Sequence, residues 1–174
     1  INPQTNAWAQ FESSKVSLDD FDELFANESA ARGHRIPGKE VIAMLSGVLR
    51  PRMVEVLKLC KAHFKVACIT NNVNAGHGPG MSRDEGKAAA VAAVMAEFDL
   101  IVESSKEGIR KPDPEIYTRT CERLNVASDR AIFLDDLGIN LKPARELGMR
   151  TIKVLSEQQA VADLAAMTGL VFPD

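Results

Sequence analysis

At 174 residues and 45% hydrophobic content the chain has enough apolar material for one sizeable core and a small appendage. Its net charge of −3, without a basic cluster, excludes nucleic acid and anionic membrane as partners; no apolar run of spanning length or signal-peptide h-region interrupts a cytoplasmic composition. Cys60, Cys68 and Cys121 read as reduced thiols, and His34, His63 and His77 lack the spacing of a zinc site.

Residues 1–47 read as helical throughout. Trp8 and Phe11 share one side of a short helix. Ser17 followed by Asp20 forms a capping box for a second helix, whose face carries Leu18, Phe21, Leu24 and Phe25 and which stops near Gly33. Pro37-Gly38 turns the chain into a third helix bearing Val41, Ile42 and Leu45. Three amphipathic helices without an intervening strand suggest a helical subdomain over 1–49, its default role being to cover something.

From Pro51 the pattern changes to alternating helices and strands. Met53, Val56, Leu57, Cys60 and Phe64 make a helical stripe, and Lys65–Ile69 is a short buried strand ending at Thr70-Asn71-Asn72. Asn74–Arg83, with three glycines and a proline, predicts a mobile loop, and Asp84–Phe98 an Ala-rich helix. Leu100–Val102 is the next strand. Asp113-Pro114 supplies the N-cap and first residue of a helix through Tyr117, Cys121 and Leu124. Ile132–Leu134 is a third strand, predicted to be buried on both faces, and Thr151–Val154 a fourth. Ser156 with Gln159 caps a last helix that ends at Gly169. Such alternation over 50–174 predicts an α/β core, a parallel sheet with helices on both faces and right-handed crossovers.

Ala131–Gly148, AIFLDDLGINLKPARELG, organises this core. An apolar strand runs into Asp135 and Asp136, Gly138 allows a turn, Asn140 is read as the N-cap of a helix, and Gly148 closes it. Ligand crevices in parallel sheets lie beyond the carboxyl ends of the strands, and paired acids there suit Mg²⁺. Thr70 and Asn71 end another strand with a hydroxyl and an amide that can donate to an anionic oxygen. Lys111 stands before a proline that keeps it extended. Each signal alone has a bland explanation in a cap, a solvated charge or a chance threonine. Together a donor pair, a fixed cation and a Mg²⁺ site describe a phosphoryl-transfer pocket.

In this order the segments ACITNN, KPDPEIY and FLDDLGINLKPARELGM resemble the second, third and fourth motifs of the haloacid dehalogenase (HAD) superfamily. The fourth is similar to that of the N-terminal phosphatase domain of soluble epoxide hydrolases. The resemblance covers roughly residues 50–155 and implies a HAD-like, Rossmann-type core with a small helical cap. It assigns Thr70 to hydrogen-bonding a phosphoryl group, Asn71 to holding substrate and Lys111 to orienting and neutralising the reacting pair. It places Asp136 against Mg²⁺, Asp135 just behind and Asn140 in support. The implied activity is a Mg²⁺-dependent phosphatase of a small phosphorylated metabolite, acting through an aspartyl-phosphate. A metal-free 2-haloacid dehalogenase is the alternative within the superfamily, and a non-catalytic binding or regulatory module the alternative outside catalysis.

The family's first motif, DxDx[TV] at the end of a first strand, occurs nowhere in this sequence. Asp20-Phe21-Asp22 has the acid spacing but falls in an apparent helix. The chain opens INPQTNAW, more like the middle of a domain than its start, and reads as a core lacking its first strand. In the family that strand lies between the strands matched by Lys65–Ile69 and Ile132–Leu134. Its absence predicts either direct pairing of those two or, favoured here, a slot filled by N-terminal residues, a first-strand peptide or the partner of a homodimer. The same lack of ligands predicts at most a weakly held Mg²⁺, and the sheet predicts convergence of Thr70, Lys111 and Asp136 on one pocket.

Overall fold

Side-chain caps set the starts of four helices in the computed structural model, which describes residues 5–45, 48–73 and 85–173. Helix α1 spans Ala7–Glu12, capped by Asn6, and α2 spans Leu18–Ala30 behind the Ser17/Asp20 capping box. Helix α3 runs over Gly38–Met44 after Pro37, and α4 over Pro51–His63 with its proline in the first turn. Strand β1 is Ala67–Thr70, α5 is Glu85–Met95, β2 is Leu100–Glu103 and α6 is the short turn Ser104–Glu107. Helix α7 covers Pro114–Leu124 under the Asp113 cap, and β3 covers Ile132–Asp135. Helix α8 is Gly138–Glu146, β4 is Arg150–Lys153, and α9 is Glu157–Thr168 behind the Ser156/Gln159 capping box. The glycine-rich Asn74–Arg83 segment, the Asp84 helix start and the first four residues lie outside the described residues.

The chain forms two compact units. One comprises Ile1–Val48, Thr70–Val94 and Glu103–Arg110, so the first three helices fold with the segments that follow β1 and β2. Its core is Ala7, Phe11, Phe21, Ile42 and Val73, with Trp8 and Phe25 packed against it. Phe11 stacks on Phe21 at 4.5 Å between ring centroids, and Trp8 meets the same ring edge-on at 5.4 Å. The other unit comprises Leu49–Ile69, Met95–Val102 and Lys111–Asp174. There Val56, Ile152, Val161 and Leu164 form a core lined by Met53, Cys60, Ile132 and Leu134.

Strand β3 pairs in parallel with β4, Ile132 opposite Arg150 through Asp135 opposite Lys153. Strand β1 pairs with β2, and among the described residues the two pairs remain separate sheets. Direct pairing of β1 with β3 is thus not seen, and no other described strand joins them. One expectation fails for this reason. Ile132, Phe133 and Leu134 are half-buried rather than fully buried, because a strand with one neighbour leaves its other edge uncovered. A second correction concerns Phe64, which belongs to no buried stripe: it ends α4 and is 46% exposed.

Candidate active site

Lys111 and Asp135 meet at the carboxyl end of β3. The Lys111 ammonium lies 2.7 Å from Asp135 Oδ2, with the two side chains only 13% and 5% exposed. The other carboxylate oxygen, Oδ1, accepts the Leu137 backbone N–H at 2.8 Å and Asn140 Nδ2 at 3.0 Å. Asp135 therefore has both oxygens engaged and acts as the hub of the turn. Lys111 Nζ also sits 5.7 Å from the centroid of the Phe133 ring, a favourable cation–π position. Proline on either side of Asp113 keeps the segment from Lys111 to Asp113 out of helical conformation until α7 begins.

Asn140 departs from its predicted place. Helix α8 begins at Gly138, which puts the cap position at Leu137, three residues before Asn140. Asn140 is thus inside the first turn, 4% exposed, and its amide reaches back to Asp135 instead of capping the helix. The physical reason is the carboxylate of Asp135, which takes the Leu137 N–H and so closes the turn ahead of Asn140. The Asn140 backbone carbonyl accepts a 2.7 Å hydrogen bond from the Tyr117 hydroxyl. Tyr117 is fully buried on α7, and burial, with the nearby Asp135 and Asp113 carboxylates, holds its phenol well above the usual range. The sequence places this tyrosine on a helical stripe and at the end of KPDPEIY, and its tertiary contact with α8 adds the role of its hydroxyl.

Asp136, one residue on, is exposed. It lines a cavity of about 500 Å³ with Arg50, Lys153, Ser156 and Glu157, at the carboxyl ends of β3 and β4. Among the described residues no group of three or more His, Cys, Asp or Glu side chains could hold a metal ion. The donor set fits Mg²⁺ in a limited way. Asp135 is already committed to three donors, so of the adjacent acid pair Asp136 is the one left to offer a hard oxygen, and water and phosphate oxygens would have to supply most of the octahedron.

Thr70 and Asn71 belong to the other compact unit, at the end of β1. Both are half-buried, and the chain continues through Asn72 to the buried Val73. Of the predicted site residues, Lys111, Asp135 and Asn140 are in direct mutual contact through Asp135. Sequence reasoning overlooked Asn72, Glu103, Ser104 and Ser105, which are knitted together beside Thr70 and Asn71. The signal was present as two polar clusters, TNN and ESS, each closing a strand.

Known proteins share sequence and fold with this chain. The sequence profile of the haloacid dehalogenase-like hydrolases matches residues 6–148. Bifunctional epoxide hydrolase 2 of Mus musculus is 32% identical over 164 residues, 88% of this chain but 28% of that protein. The chain thus spans under a third of the length of that relative. The sesquiterpene phosphatase astK of Aspergillus oryzae is 27% identical over 97% of this chain and 82% of its own. The fold is shared with a HAD-like hydrolase of Porphyromonas gingivalis, at a TM-score of 0.69 and 15% identity over 98% of this chain and 82% of that one. It is also shared with a HAD family enzyme of Bacteroides thetaiotaomicron in complex with magnesium and inorganic phosphate, at 0.62 and 17% identity over 86% and 75%. With half of the chain and more under the family profile and its three motifs in order, this chain belongs to the haloacid dehalogenase-like hydrolases.

Proposed function

We propose that the chain carries the phosphate- and metal-holding part of a Mg²⁺-dependent phosphatase acting on a small phosphorylated metabolite. The observation that supports this reading best is the Lys111–Asp135 ion pair directly beside the exposed Asp136. A buried carboxylate fixes an ammonium in one orientation, and the adjacent carboxylate remains open to a cation. Phosphoryl transfer needs little more from a protein than such fixed charges, because its catalysis is positioning and neutralisation. In this reading Lys111 meets the negative oxygens of the phosphoryl group, Asp135 holds Lys111, and Asn140 holds Asp135. The family resemblance gives Thr70 and Asn71 the part of hydrogen-bond donors to phosphate. Asp136 holds Mg²⁺, which when bound would neutralise phosphate charge. The nucleophile and acid/base that the family draws from DxDx[TV] are not among these 174 residues. Phosphatase-type relatives, the astK enzyme among them, support a phosphate ester over a haloacid.

The test is titration of the chain with inorganic phosphate, with and without Mg²⁺, alongside assays with p-nitrophenyl phosphate and 2-chloropropionate. Phosphate binding that strengthens with Mg²⁺ and falls about tenfold or more in Lys111→Met is expected. Binding without turnover is the expected result for residues that lack DxDx[TV], and metal-independent release of chloride would identify a dehalogenase. Absence of phosphate binding overturns the reading.

A further inference from the structure

Beside Thr70 and Asn71 lies a hydrogen-bond cluster that no part of the proposed chemistry uses. The Asn72 side chain donates through Nδ2 to Glu103 Oε1 at 3.0 Å. Its Oδ1 accepts from the Ser105 backbone N–H at 3.1 Å and from the Ser105 hydroxyl at 2.9 Å. The Asn72 backbone N–H donates to Ser104 Oγ at 3.0 Å, and that hydroxyl lies 3.2 Å from the Asn72 carbonyl. One asparagine thus ties the segment after β1 to the segment after β2 through side chain and backbone together.

A tether positions only if its far end is held, and this one is. Ser104 is fully buried. The Ser105 carbonyl accepts a 2.7 Å hydrogen bond from the Ser14 hydroxyl at the end of α1. Ser14 keeps a left-handed backbone, φ 52°, unusual for a serine, in making that contact. Farther along, the Arg110 guanidinium meets Glu12 Oε2 at 2.6 Å with both side chains under a tenth exposed. On the other side of Asn72, Val73 is packed into the helical core. Residues 72 and 73 are therefore fixed, and the two polar residues immediately before them inherit that fixity.

We propose that Asn72 is a positioning residue for Thr70 and Asn71, acting through the amide-to-carboxylate bridge to Glu103. The proposal rests on the reading of Thr70 and Asn71 as phosphate donors. It differs from the family assignment in naming a residue that touches no substrate. Asn72→Asp tests it, because the replacement has the same shape and keeps both acceptor contacts to Ser105. It loses only the donor, and sets a carboxylate against that of Glu103. Adding Glu103→Gln restores a donor from the opposite side of the same bridge.

The experiment measures inorganic phosphate affinity and the backbone amide resonances of Thr70 and Asn71 in the full chain. Asn72→Asp is expected to weaken phosphate binding about tenfold and to displace both resonances, with the Asn72→Asp/Glu103→Gln chain returning to within about threefold of the starting affinity. A merely structural role would lower the unfolding midpoint without such reciprocal rescue. Unchanged resonances and affinity in Asn72→Asp, or no recovery in the doubly substituted chain, would overturn the proposal. If the unsubstituted chain binds no phosphate, the phosphatase reading falls, while displacement and recovery of the two resonances still decide the role of Asn72.

Discussion

Lys111 and Asp136 sit 24 and 1 residues from Asp135 in sequence, yet substitution should affect them in opposite ways. Lys111→Met leaves the buried Asp135 carboxylate without its counter-charge, and a broken buried pair costs about 3 kcal/mol or more. Asp136→Asn changes an exposed side chain and should alter stability by less than about 0.5 kcal/mol, while weakening Mg²⁺ binding. Chemical denaturation of both variants, with Mg²⁺ titrations on the second, checks this contrast; equal stability losses would contradict it. Tyr117→Phe removes the hydrogen bond to the Asn140 carbonyl, a loss of about 1–2 kcal/mol at neutral pH. The folded phenol holds its proton to higher pH than the unfolded one, chiefly through burial. That stabilisation is whole below the unfolded value of about 10 and is lost as pH rises beyond it. Stability curves of the two proteins should therefore converge above about pH 10, and parallel curves would count against this assignment.

At the scale of elements, the helical unit turns on the meeting of α2 and α3. A Cβ built at Gly38 would lie 2.5 Å from the Phe21 ring, which is fully buried against Phe11 and Trp8. Gly38→Ala should cost about 1–3 kcal/mol by overpacking. Gly138→Ala, whose added Cβ would stand 3.7 Å from Lys153 Nζ, an ordinary contact, should cost less than Gly38→Ala. Thermal unfolding of the two variants separates them. The sequence was most legible where structure is local. The boxes at Ser17/Asp20 and Ser156/Gln159, the Asp113-Pro114 start and the left-handed Gly148 and Gly169 each depend on residues within one turn. Legibility ended where a long-range partner decides. Asn140 has the chemistry of a cap but is claimed by Asp135, and Asn72 finds its partners 31 to 33 residues away. Phe64 fits a helical stripe by spacing, and the end of α4 leaves it exposed.

Across the whole molecule, four strands form two pairs, so every strand has one unpaired edge among the described residues. In the β3–β4 ladder the carbonyls of Ala131 and Asp135 accept from Arg150 and Val154. In a parallel ladder the N–H and C=O of a given residue point to the same side, so the Phe133 and Asp135 amides face β4 while those of Ile132 and Leu134 face away. Hydrogen exchange should therefore alternate along β3, with Ile132 and Leu134 faster than Phe133 by about a hundredfold. Uniform protection that disappears on dilution would instead show that a second chain pairs with this edge. Another consequence follows from Val73, which ends TNNV buried among the aromatic side chains of the first helices. The polar segment and the helical core share one residue, so a change in the packing of Phe11 or Phe21 is transmitted to Thr70 and Asn71 without any new contact to them. Drift in an apolar interior, ordinarily silent toward ligands, becomes here a way for descendants of one sequence to shift the two polar residues that the proposed function assigns to phosphate.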